Sequence, residues 1–124
     1  MTYVWVAIGS ALGGMARFFL TMVTSGFTLL RFPWGTLLVN VLGSLVIGWF
    51  GALTGPGGRI EAPLDLRIFV MVGVCGGFTT FSSFSLQTLE LLRGGALASA
   101  AGYILASVIL CLLAVWAGVV IGRL

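Results

Sequence analysis

Donor side chains dominate the chemistry-bearing residues of this chain, and acids are missing from its apolar stretches. The densest cluster is Gly73-Val74-Cys75-Gly76-Gly77-Phe78-Thr79-Thr80-Phe81-Ser82-Ser83-Phe84-Ser85. Three glycines and five hydroxyls fall there, inside an uncharged run from Ile68 to Leu89. Thr36, Asn40 and Ser44 recur at four-residue spacing, as do Ser99, Tyr103, Ser107 and Cys111. That spacing places side chains on one helix face. Hydroxyls and the amide all donate hydrogen bonds. Phenylalanine adds ring edges of positive potential. Proton relays use intramembrane acids or His, and cation paths use carboxylates or carbonyl rings. The uncharged runs hold no Asp, no His and no central Glu. The set suits an anion.

Gly76-Gly77 followed by Thr79-Thr80 is poor helical material, because glycine adds backbone freedom and threonine loses rotamers. Broken backbone in hydrocarbon is tolerated only where protein buries it or a polar cavity receives it. A functional break is therefore expected here. One half-helix end would offer N–H groups to an anion. The other would offer carbonyls to a cation such as Na⁺.

Plainer uses stand beside these. Polar stripes on membrane helices also bond helix to helix. Phe78, Phe81 and Phe84, spaced by three, fall near one face and could simply pack. Arg17 is the one charge well inside a span. It is either functional or snorkels toward the interface. Cys75 and Cys111 behave as small apolar groups, and no Cys/His cluster suggests a transition-metal site.

The elements that must position these residues follow from composition. The chain has 124 residues, 60% hydrophobic and 7% charged, with a net charge of +3. A soluble domain carries about 25% charged residues. A membrane helix needs about 20 apolar residues, which gives spans near 3–24, 33–54, 66–92 and 97–122. The chain reads as an all-α membrane protein, with residues 1–124 forming a single four-helix transmembrane domain whose third helix is broken mid-membrane. No soluble catalytic domain accompanies it, so it is not expected to be an enzyme. Its positive charge serves topology and lipid contact, not nucleic acid. The N-terminus lacks the basic region of a signal peptide. Gly9-xxx-Gly13 and Gly118-xxx-Gly122 are small-residue faces for close helix packing. Residues 55–67 form a polar loop opened by Gly-Pro-Gly-Gly. Four spans do not easily enclose a pore alone, so an oligomer is expected. Arg59, Arg67 and Arg123 fall on one side and Arg31 and Arg93 on the other. So small an excess does not fix orientation, and both orientations are expected.

Gly-Gly-Phe-Thr-Thr-Phe-Ser-Ser-Phe-Ser, with Trp-Gly-Thr-xxx-Asn upstream and Gly-xxx-Arg in the first span, resembles the Fluc (CrcB-type) fluoride channels over essentially the whole chain. The resemblance implies an antiparallel, dual-topology homodimer in the cell (inner) membrane. It implies passive, fluoride-selective export that lowers cytoplasmic fluoride and confers fluoride resistance. It also implies a structural Na⁺ at the dimer centre. Phe81 and Phe84 resemble the pore phenylalanines, Asn40 the asparagine beside them, and Ser82 and Ser83 the hydroxyls between them. Gly76 and Thr79 resemble the residues whose carbonyls hold Na⁺. Tyr103 and Ser107 resemble the start of a polar track, and Arg17 and Thr36 match vestibule-side positions. Gln87 departs from a frequent Glu, and Cys111 from a hydroxyl. Two rivals remain. A small four-helix multidrug exporter needs an acid in the first span, where this chain has Arg17. A non-transporting membrane assembly subunit would leave the break unexplained.

Overall fold

The computed structural model describes residues 1–26 and 32–124. Its helices α1 (Thr2–Thr24), α2 (Trp34–Thr54) and α6 (Leu97–Arg123) are continuous. The third span, Leu64–Arg93, is composite. It runs as α3 (Leu64–Arg67), a π-helical segment (Ile68–Cys75), α4 (Gly76–Phe78), two extended residues and α5 (Phe81–Arg93). All four stretches are long and apolar enough to cross a membrane, and each lies within two residues of its expected limits.

Local sequence explains the boundaries. Pro33 and Pro63 occupy the N-cap positions of α2 and α3. Thr80 is the N-cap of α5: its backbone is extended and its hydroxyl accepts the Ser83 N–H. Such a cap satisfies one of the donors a helix start leaves free. The turn between α5 and α6 is a Schellman motif. Ala96 N–H bonds Leu91 O at 2.9 Å and Gly95 N–H bonds Leu92 O at 3.1 Å. Gly95 stands at the left-handed position with φ 77°, where a Cβ would be strained.

Two close helix crossings hold the bundle. Where α1 meets the π-helical segment and α4, Gly9 lies against Gly73, Gly13 against Val74 and Phe78, and Gly77 against Ser10. Where α2 meets α6, Gly48 lies against Val115, and Gly118 and Gly122 against the α2 backbone. A Cβ at these positions would meet main-chain atoms, which cannot rotate away. The Gly9-xxx-Gly13 and Gly118-xxx-Gly122 faces thus pack as expected. The small core gathers Leu37, Leu91, Ala100 and Tyr103, with Phe32 and Phe84 against it. The outer faces of α1 and α6 are apolar and exposed, as lipid contact requires.

Two features differ from the expectations drawn from sequence. The winding of the third span loosens before the glycine pair, across Ile68–Cys75; π-helical turns are rare and have no simple residue code. Phe78, Phe81 and Phe84 do not form one stripe. The extended Thr79 and Thr80 separate Phe78 on α4 from the other two on α5, and Phe78 faces Gly43.

Candidate functional site

The break is built from α2 outward. Between α4 and α5 the backbone of Thr80 would lack helical partners. Asn40, about two turns into α2, supplies both. Thr80 N–H donates to Asn40 Oδ1 at 2.7 Å, and Asn40 Nδ2 donates to Thr80 O at 3.1 Å. In hydrocarbon each unmade bond of this kind would cost several kcal/mol. Gly43, one turn on, allows the approach: a Cβ there would collide with the Thr79 methyl. Thr79 N–H and Oγ1 both donate to Cys75 O, at 3.0 and 2.9 Å.

The Thr36–Asn40–Ser44 stripe divides into different tasks. Thr36 is buried at 3% exposure. Ser44 donates to Asn40 O at 2.7 Å, so its proton stays within its own helix. Asn40 keeps one of its two amide protons free of Thr80, and its side chain lines an open cleft of about 420 Å³. Thr80, Phe81, Phe84, Ser107 and Cys111 line the same cleft. Ser107 is buried, and among the described residues its Oγ has no hydrogen-bond partner.

Aromatic rings join this cleft to a second one. Phe81 and Phe84 have centroids 5.3 Å apart, Phe84 and Tyr103 5.1 Å, and Tyr103 meets Phe32 edge-on at 5.4 Å. Tyr103 is fully buried, and its hydroxyl donates to Gln87 Oε1 at 2.8 Å. Gln87 and Thr36 line the second cleft, of about 280 Å³, together with Thr21, Thr24 and Phe32. Hydroxyls, amides and ring edges therefore follow one another from cleft to cleft. Among the described residues neither cleft is lined by an acid, an Arg or a Lys.

The structure brings Asn40, Phe81, Phe84 and Ser107 to one cleft, and Thr36 to its neighbour. Tyr103 lies between them. Ser82 and Ser83 cluster on the Thr80 hydroxyl, Ser82 exposed and Ser83 half-buried. Arg17 lines neither cleft; it is half-buried on α1, and its carbonyl accepts from Thr21 Oγ1. Arg31 lies outside the described residues. Gly76 and Thr79 both line the larger cleft. Among the described residues no hydrogen bond ends on either carbonyl. No three of His, Cys, Asp or Glu gather among the described residues.

Thr80 is the residue that sequence reasoning passed over. Its signal was available: a hydroxyl directly after a glycine-rich break and directly before a helical run marks an N-cap.

Comparison with known proteins follows this geometry. The family model described as CrcB-like protein, Camphor Resistance (CrcB), matches residues 4–119. A protein of Methylocella silvestris named Fluoride-specific ion channel FluC is 58% identical over 98% of this chain and 92% of its own length. Proteins of the same name from Rhodospirillum rubrum and Paramagnetospirillum magneticum are 54% and 53% identical, each over 95% of this chain and 92% of their own length.

Proposed function

Because this chain belongs to the CrcB-like family, we propose that it is a passive, fluoride-selective ion channel, a multi-pass membrane protein and not an enzyme, that lets fluoride leave the cytoplasm across the cell (inner) membrane. One observation carries the proposal: the phenylalanine rings beside the Asn40-held break line a donor-bearing cleft and connect through Tyr103 to a second one, and among the described residues no acid lines either. Fluoride holds its water tightly, and a path must replace that shell as the ion enters. Asn40, Ser83, Ser107 and Thr36 supply donors, with the Ser82 and Tyr103 hydroxyls beside them, while Phe81 and Phe84 present ring edges that attract without trapping. A channel must bind firmly enough to admit an ion and weakly enough to release it. Arg17 would act outside the two clefts, raising anion concentration near a mouth.

The working unit is an antiparallel homodimer. Phe81 is 79% exposed in the single chain, and Gly76 is bare on the same open cleft. A second copy laid against this face would enclose the cleft and bury the ring. The carbonyls of Gly76 and Thr79, which no described donor uses, have the chemistry to hold Na⁺, an ion that oxygen dipoles can bind without a carboxylate. Bound there, Na⁺ would neutralise converging carbonyl dipoles at the two-fold axis.

Fluoride efflux from liposomes containing purified protein tests the function. Rapid efflux under a fluoride gradient, with no efflux of chloride, is expected. Flux that needs a proton gradient, or that moves organic cations, would place the chain with drug exporters. No ion flux at all would leave an assembly subunit.

A further inference from the structure

One oxygen, Thr80 Oγ1, takes part in three hydrogen bonds. It accepts the Ser83 N–H at 3.1 Å, donates to Ser83 Oγ at 3.1 Å and lies 3.3 Å from Ser82 Oγ. A hydroxyl has a single proton and two lone pairs. The Thr80 proton goes to Ser83. The contact with Ser82 therefore closes only when Ser82 donates to Thr80.

The two serines are then opposite in polarity. Ser82, exposed in the single chain, gives its proton to Thr80 and has only lone pairs left to offer. Ser83 has a lone pair filled by Thr80, and among the described residues its own proton has no acceptor. An anion is attracted to the second arrangement and repelled by the first. Thr80 cannot easily change this pattern. It is 7% exposed, and Asn40 holds both its N–H and its carbonyl. Ser83 lies one turn before Gln87 on the same face of α5, and Gln87 lines the second cleft.

We propose that Thr80 is a positioning residue that fixes hydroxyl polarity at the start of α5, so that Ser83 donates to the passing anion while Ser82 braces Thr80. This rests on the channel function above and divides the work of its two serines. Thr80 itself touches no ion; it acts through Ser83.

The test compares fluoride efflux from liposomes holding wild type, Ser82→Ala, Ser83→Ala, Thr80→Ser, Thr80→Val and the Thr80→Val/Ser83→Ala double variant. Each is first checked by size exclusion. Ser83→Ala should slow efflux at least roughly tenfold more than Ser82→Ala, the weight of a lost hydrogen bond to a charged group. Thr80→Val should fall to the Ser83→Ala level, and the double variant no further. Thr80→Ser, which keeps the hydroxyl, should restore most of what Thr80→Val loses. A merely structural cap would lower flux in Thr80→Val independently of Ser83, so an additive double variant overturns the proposal. Any smaller difference between the serine variants overturns it too, and those two variants decide alone if Thr80→Val does not fold. Wild type without fluoride efflux would sink the channel function and this assignment together. Wild-type efflux with equal serine losses would sink only the assignment.

Discussion

Phe81 and Phe84 separate packing from conduction better than any other pair in the chain. Phe84 is held between Phe81 and Tyr103, so its replacement by Ile carries a packing cost of about 1–2 kcal/mol. Phe81 projects from the single chain with most of its ring exposed, so the fold of the chain itself loses little when the ring is changed. If the rings only pack, Phe84→Ile should be the harsher variant and flux should track the amount of folded protein. If ring edges guide the ion, Phe81→Ile and Phe84→Ile should both remain dimers and both lose at least roughly tenfold in fluoride efflux, the scale on which one charge-assisted contact is felt. Wild-type efflux from either well-folded variant would reject the ring-edge role. Residue types in the sequence marked the donors and the phenylalanines as candidates, and the family resemblance singled out Phe81 and Phe84 among them. What each donor does with its proton was not legible. Helix spacing names a face, whereas a hydroxyl turns either to its own helix, as Ser44 does toward Asn40 O, or to a neighbour, as Tyr103 does toward Gln87.

The broken third span depends on α2 more than on its own sequence. Glycine and threonine weaken the helix between α4 and α5, but the two bonds from Asn40 give the extended Thr80 its partners. Asn40→Ala would leave a backbone donor and acceptor unpaired inside the bundle, a penalty of roughly 1–3 kcal/mol for each. Asn40→Asp keeps the acceptor for Thr80 N–H, and when protonated its O–H can replace the lost donor to Thr80 O. At a pH where the acid is protonated it should therefore be the less destabilised of the two in thermal or detergent-titrated unfolding. At a pH where it ionises it should conduct fluoride worse, because a carboxylate on the cleft wall repels the ion. An Asn40→Ala protein as stable as wild type would show that the break has other support. The spans and the break were legible from charge-free length and from Gly-Gly-x-Thr-Thr. The π-helical winding of Ile68–Cys75 was not, because eight apolar residues carry no mark of winding. Nor was the partition of the phenylalanines, since a three-residue spacing assumes a helix that the Thr79–Thr80 break interrupts.

At the scale of the whole molecule, orientation rests on very few charges. Four spans place both termini and the loop between α2 and α3 on one side, which carries Arg59, Arg67 and Arg123. Arg93 lies at the opposite end of the third span, and Arg31, outside the described residues, falls in sequence between the first two spans. Cytoplasmic loops normally hold a clear excess of Lys and Arg, and three against two is no such excess. Both orientations should therefore occur in one membrane, as an antiparallel pair requires. An accessible cysteine tag added after Leu124 should label from both faces of the membrane. Labelling from one face alone would refute dual topology and leave the open Phe81 face without its antiparallel partner. Arg93→Gln sharpens the test, because three against one biases the termini inward. That variant should label mostly from the cytoplasmic face and lose fluoride efflux from intact cells, since like-oriented chains cannot pair head to tail. Once purified and reassembled in detergent, where no membrane imposes a side, the same chains should again form dimers and conduct in liposomes. Flux lost in cells and regained in liposomes would place the defect in orientation; flux lost in both would place it in the fold.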